Sequence, residues 1–255
     1  MTADGLAITL HASSEVTASG VSAAVDLQSD SIPLRRAALL GLSISEIDGT
    51  LGLTFQTSRD GVSWANASDG SGSYNAVGTA ELWVGECLRY LRLSWSLSAG
   101  ESATFEVTGE ARQVFCSLVH LVALGGAEDV LSGVTDGERL RHLQAVSSTA
   151  RGYLAKAGQT PILGVGEDVA RAVAHITVVD IITSDTGLHP EEGATELLVA
   201  AADRARAWLR DVASGKAEAD VTYTDPTTVD PPTDDGIGSG IVYGDTPRYW
   251  YNALP

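Results

Sequence analysis

The chain has 255 residues, 44% of them apolar and 6% aromatic, with 33 carboxylates against 16 Lys and Arg for a formal net charge of −17. That length predicts two compact units plus extras, and the apolar share is enough to build their cores. The charge divides into about −7 over 1–112, −5 over 113–219 and −5 over 220–255, so no segment offers the clustered cations that displace counterions from DNA or RNA.

From Leu6 to about Arg112 the dominant period is two. Leu51, Leu53 and Phe55 alternate with Gly52, Thr54 and Gln56. Leu91, Leu93, Trp95 and Leu97 alternate with Arg92, Ser94 and Ser96, and a third run turns Ala103, Phe105 and Val107 inward. Asp60-Gly61 and Ala99-Gly100 supply turn chemistry between the runs. The expected architecture over 1–113 is an all-β sandwich or jelly roll.

After Arg112 the period becomes helical, and 114–219 is expected to fold as a small all-α bundle. Leu140, Leu143, Val146, Ala150, Tyr153 and Leu154 step by three or four behind Asp136, taken as the N-cap. A second helix is expected over Glu167–Thr183, with Val169, Val173, Ile176 and Val179 or Asp180 on successive turns. It is entered through Thr160-Pro161 and a glycine-flanked loop at Gly164-Val165-Gly166. A third begins at Pro190-Glu191-Glu192, where proline and carboxylates suit a first turn. It is expected to bury Leu197, Leu198, Ala201, Ala205, Trp208, Leu209 and Val212 before stopping at Gly215. From Asp220 onward, prolines and six carboxylates against Arg248 alone mark a solvated linker. It leads through a β-prone Ile241-Val242-Tyr243 to Pro247, Arg248 and the aromatic run Tyr249-Trp250-Tyr251. A stretch that cannot build its own core and ends in aromatics is expected to be a docking arm.

No residue pattern points to catalysis. His11, His120, His142, His175 and His189 lack metal-ligand spacing, there is no GxSxG, and paired carboxylates such as Glu191-Glu192 sit at helix starts. Gly164-Val165-Gly166 lacks the third glycine and the preceding strand of a dinucleotide fingerprint. No enzyme activity, cofactor or metal is expected. Cys87 and Cys116 are expected to be free thiols. Met1-Thr2-Ala3-Asp4 does not resemble a secretion signal, and the apolar run Val173–Ile182 is too short to span a bilayer. A soluble protein made in a cytoplasm is the expectation. Trp64, beside the Asp60-Gly61 turn, is a candidate glycan contact, its alternative being a ring that closes the end of the sandwich.

The second part carries a resemblance. Leu121-Val122-Ala123-Leu124-Gly125-Gly126, Asp129-Val130-Leu131-Ser132-Gly133, Thr135-Asp136, Ala150-Arg151-Gly152-Tyr153-Leu154, Thr160-Pro161 and Arg206-Ala207-Trp208-Leu209-Arg210-Asp211-Val212-Ala213-Ser214-Gly215 follow one another in order. In this they resemble the Mu-type head-tail joining proteins of tailed bacteriophages, also called adaptors, connectors or head-completion proteins. The likeness covers Phe115–Lys216, with Gly244-Asp245-Thr246-Pro247-Arg248 similar to the family's closing segment.

The resemblance implies a virion protein at the head-tail interface. About twelve subunits would form a ring under the portal protein, continue the DNA channel without specific DNA binding, and receive the tail or a stopper protein below. Carried over, the bundle would be Asp136–Ala157, Glu167–Thr183 and Pro190–Ser214, its core including Leu140, Leu143, Tyr153, Val173, Ile176, Leu198, Trp208 and Leu209. The portal-gripping arm would be Ile241–Pro255. The chain departs from the family in its N-terminal sandwich, which is similar to accessory domains of phage structural proteins, and in its long linker. An acidic channel wall repels DNA and keeps contacts transient. The alternative is a capsid decoration or glycan-binding accessory protein of the virion.

Overall fold

The computed structural model describes residues 5–27, 36–67, 70–125, 131–159, 162–184 and 192–223. An N-terminal β portion is followed by helices. Two antiparallel sheets make up the first. Sheet A has the order β1 (Gly5–Val16), β10 (Ser102–Gln113), β4 (Arg36–Asp48), β8 (Gly78–Cys87). Sheet B has the order β2 (Gly20–Val21), β9 (Tyr90–Ser96), β5 (Leu51–Ser58), β6 (Ala65–Asn66), with β3 (Val25–Asp26) on β9 and β7 (Gly72–Tyr74) on β5.

Alternation decides what the two sheets enclose. Leu51, Leu53 and Phe55 of β5 and Leu91 and Leu93 of β9 meet Leu40, Leu42, Ile44, Phe105 and Val107 of sheet A in one buried core. Burying a side chain of this size stabilises by roughly 1.5–3 kcal/mol, so this core is the main energetic source of the sandwich. Gly61 and Gly100 adopt φ of +73° and +88° in the expected turns, a region where L side chains are strained.

Sheet A is covered on both faces. Its outward residues Ala37, Leu39 and Trp83 join a second core built by four helices. These are α1 (Leu118–Gly125), α2 (Asp136–Lys156), α3 (Glu167–Thr183) and α4 (Glu192–Ala213). The layers therefore run sheet B, sheet A, helices. Helix α3 is central, packing against α1, α2 and α4. It buries Val169, Ala172, Val173, Ala174, Ile176, Val178, Val179 and Ile181 around nearly its whole circumference. Thr177, fully buried within it, donates its hydroxyl to Val173 O at 2.7 Å.

Several expectations change. Helix α1 is additional to the three anticipated. The N-cap of α2 is Thr135, not Asp136: the Thr135 hydroxyl accepts from Glu138 N at 3.3 Å and the Glu138 carboxylate accepts from Thr135 N at 3.1 Å, a reciprocal box. Asp136 is then the first helical residue. Thr135→Ala is expected to cost about 1 kcal/mol, read as a lower urea midpoint with an unchanged slope.

Leu197 is 72% exposed rather than buried. Successive helical residues point about 100° apart, and the stripe that faces the core is Leu198, Ala202, Ala205, Leu209 and Val212, which leaves Leu197 outside it. Ala201 and Trp208 flank the stripe and are half-buried. Gly215, with φ +72°, ends α4 as expected, its N–H bonding Val212 O at 3.0 Å.

Gly164-Val165 is not loop. It belongs to β11 (Ile162–Val165), which pairs antiparallel with β12 (Val221–Tyr223), so the first residues assigned to the linker are ordered in a ribbon. Their carboxylate-rich context hid a Val-Thr-Tyr strand. Cys87 and Cys116 are buried and not bonded to each other. No helix among the described residues is long and apolar enough to cross a membrane.

Candidate functional site

The arm residues Ile241, Val242, Tyr243, Pro247, Arg248, Tyr249, Trp250 and Tyr251 lie outside the described residues, as do Thr160-Pro161 and Pro190. What the fold defines is the root of that C-terminal segment, up to Tyr223. After α4 ends, the chain returns to the start of α3. There Gly166 N donates to Asp220 O at 2.6 Å and Asp220 N donates to Asp168 Oδ2 at 2.8 Å. Val169 N donates to Asp168 Oδ1 at 2.7 Å. Gly166 makes this approach possible, because a Cβ on it would meet the Asp220 carboxylate at 2.3 Å.

The root has a distinct electrostatic character. Burial, and then the neighbouring Asp220 charge, push the Asp168 carboxyl above the usual carboxylate range, while its backbone hydrogen bonds pull the other way. Ile162 and Val221 of the ribbon pack onto the helical core, so the strand leading to the arm is tied by both hydrogen bonds and apolar contact. Beyond it lie 32 residues, 224–255, which fully extended reach at most about 110 Å.

The core residues expected in the helices are brought together. Leu140, Leu143, Val173, Ile176 and Leu209 are buried in one cluster, and Tyr153, Leu198 and Trp208 pack against its margin. The two sides of α2 and α3 are also joined by a polar contact. His142 Nδ1 lies 2.7 Å from Asp180 Oδ2, and His142 Nε2 lies 3.4 Å from Ser184 Oγ. The order Asp–His–Ser is that of a nucleophile relay, but its setting opposes that chemistry. Ser184 caps the C-terminus of α3 and donates to Ile181 O at 2.8 Å, so the helix dipole and exposed carbonyls there disfavour an oxyanion. The trio acts as a clamp between helices.

The other histidines do not converge. His11 stacks on Phe105 with centroids 4.2 Å apart and bonds Phe105 O through Nδ1 at 3.1 Å. His120 is exposed, and His175 is half-buried on α3, its basicity lowered by burial and then by Arg171 and Arg204. His189 is outside the described residues. Among the described residues no three His, Cys, Asp or Glu side chains gather as metal ligands.

Trp64 is half-buried on a rigid loop. Asp60 Oδ1 accepts from Val62 N and Ser63 N, both at 2.8 Å, and from the Ser58 hydroxyl at 2.9 Å; these bonds hold the Asp60 carboxyl far below its usual range. The Trp64 indole N–H donates to Gly61 O at 3.2 Å. Arg92 lies over the ring, its guanidinium carbon 4.0 Å from the centroid, so one face of the indole is covered by a cation. Trp64 is therefore neither a bare platform nor a core plug. The partner that matters, Arg92, could not be linked to it by sequence spacing alone.

Comparison with known proteins adds little. No family model matches the chain, and no curated protein matches it. A solved structure described as "Crystal Structure of FLHE" is similar over 43% of this chain and 92% of that one, at 12% identity with a TM-score of 0.24. That likeness is too slight to bear on fold or role.

Proposed function

We propose that the chain is a bacteriophage head-tail connector, a non-enzymatic virion protein that assembles as a ring on the portal through its C-terminal arm. In this reading the ring continues the DNA channel and presents a surface to the tail or stopper. The observation that carries it is the join between bundle and arm. Helices cover the resembling stretches around Leu121, Ala150–Leu154 and Arg206–Ala213, and the segment after α4 is pinned at Asp220–Tyr223 beside α3 before an acidic, aromatic-ended stretch of 32 residues departs. A fixed root limits the volume the arm samples, which raises the effective concentration of neighbouring arms once one has docked. Tyr249, Trp250 and Tyr251 are residue types that dominate binding hot spots. The formal charge of −17 suits a wall along which DNA slides.

Mass photometry of the purified chain with the intact portal ring of the same genome tests this. The expected result is a discrete complex carrying about twelve added copies, the ring size that the resemblance implies, and a closed ring makes that number fixed. A chain ending at residue 240 is expected to keep the circular dichroism spectrum and melting temperature of the full chain and to lose the complex. Undiminished association of the truncated chain would overturn the role of the arm. Failure of the full chain to associate would overturn the connector reading, and hundreds of copies per virion would replace it with capsid decoration.

A further inference from the structure

The outer face of sheet B is chemically unlike the rest of the molecule. The strands of sheet A contain seven Asp and Glu residues, whereas those of sheet B contain one, Asp26. Asp26 is held by Arg89 at 2.9 Å. Register places the outward residues in rows across the strands. One row is Ser96, Gly52 and Ser73; the next is Val21, Ser94 and Thr54; the third is Arg92, Gln56 and Asn66; the last is Asp26 and Tyr90, whose β5 neighbour Ser58 is buried and bonded within the Asp60 turn. In an acidic chain this is a flat field of hydroxyls and amides, on a grid of about 4.8 Å across the strands and about 7 Å along them.

The third row is organised. Arg92 Nε donates to Gln56 Oε1 at 2.8 Å, and Gln56 Nε2 donates to Asn66 Oδ1 at 3.0 Å. Trp64 closes the end of the row over the Arg92 guanidinium, and the Asp60 turn fixes Trp64 in turn. Each of these side chains keeps hydrogen-bonding capacity beyond the bonds just named: Arg92 has four further N–H donors, Asn66 its amide N–H₂, and the serines and threonine both donate and accept. Groups already held in one orientation lose little entropy when a ligand binds them.

We propose that this face binds an uncharged carbohydrate chain lying across the Arg92–Gln56–Asn66 row. Dense, fixed donors and acceptors beside an indole match the hydroxyls and the apolar ring faces of a sugar. Among the described strands of this face the single carboxylate, Asp26, is paired with Arg89, and Arg92 is engaged by Gln56 and the indole, so no cluster of like charge selects an ionic ligand; the acidity of the rest of the chain repels an anionic one. The site lies on the side of sheet A away from the helices, and its test does not involve the portal, so it stands or falls independently of portal binding.

The test is an array of immobilised neutral and acidic oligosaccharides probed with the full chain, followed by affinity electrophoresis in gels containing whichever neutral polysaccharide is retained. Retention on a neutral glycan is expected, with Arg92→Ala and Trp64→Ala each weakening the apparent Kd about tenfold or more. Thr54→Glu, which puts a carboxylate in the middle of a solvent-facing row without touching the core, is expected to abolish retention at an unchanged melting temperature. No retention on any neutral glycan would overturn the proposal, as would retention on acidic glycans alone. Retention undiminished in properly folded Thr54→Glu would overturn it too.

Discussion

Gly109→Ala is expected to lower the stability of the protein by about 3 kcal/mol, the upper end of what overpacking in a closed site costs. Gly109 lies in β10, the strand between β1 and β4 in the middle of sheet A, opposite Ile8 on one side and Leu40 on the other. A Cβ there would lie 2.1 Å from Leu39 O and 2.7 Å from Leu40 Cα. Both are backbone atoms, so no rotamer change relieves the clash and the sheet itself must move. Sheet A lines both cores, so the displacement is felt on each side. Gly41→Ala is the internal control: its new methyl meets only Thr108 O at 3.8 Å, an ordinary contact, and stability should change little. Urea unfolding of both variants checks the pair; equal midpoints would mean that β10 and β4 do not approach as closely as described.

The legible parts of the fold are those with one solvent face. In β5 and β9 the alternation is clear because sheet B has the core beneath it and water above, so Leu53 and Thr54 see opposite environments. In β4 the run Ala37-Ala38-Leu39-Leu40 gives no alternation, because Ala38 and Leu40 face the sandwich while Ala37 and Leu39 face the helices. The boundaries of α3 were legible from the glycine before it and the period within it, although burial on nearly all sides blurs any single stripe. Thr135-Asp136-Gly137-Glu138 did contain a capping-box signal, which the more acidic Asp136 concealed. The β11–β12 ribbon was not legible, since two short strands separated by two helices share no local pattern. The same holds for the face of sheet B: Gln56 and Arg92 are 36 positions apart, and only register makes them neighbours.

Trp83→Ala is expected to cost about 3 kcal/mol and, more tellingly, to lower the stability of strands and helices together. Trp83 lies in β8 between Leu82 and Val84, which face the sandwich core, so its own side chain projects onto the helical layer. There it meets α2 at Gly137, where a Cβ would be 3.3 Å from the indole; the missing side chain is what lets the helix lie against the ring. The same interface is tied by Gln144 Nε2 donating to Ala37 O at 3.0 Å, by the Arg141–Glu81 ion pair, and by Phe115 N donating to the Ser147 hydroxyl at 3.2 Å. Gln144 is 4% exposed, so separating the layers leaves a buried amide without its acceptor. An accessory domain joined by a tether would not be built this way. The expected observation is one cooperative transition, with far-UV dichroism of the helices and near-UV dichroism of the sandwich aromatics melting at the same temperature in wild type and shifting together in the variant. Two separate transitions, with the helical one unmoved by Trp83→Ala, would instead make the sandwich a detachable module. If the transitions coincide, the orientation of sheet B follows from that of the helices, so docking the bundle on a portal would also determine where the Arg92–Gln56–Asn66 row faces.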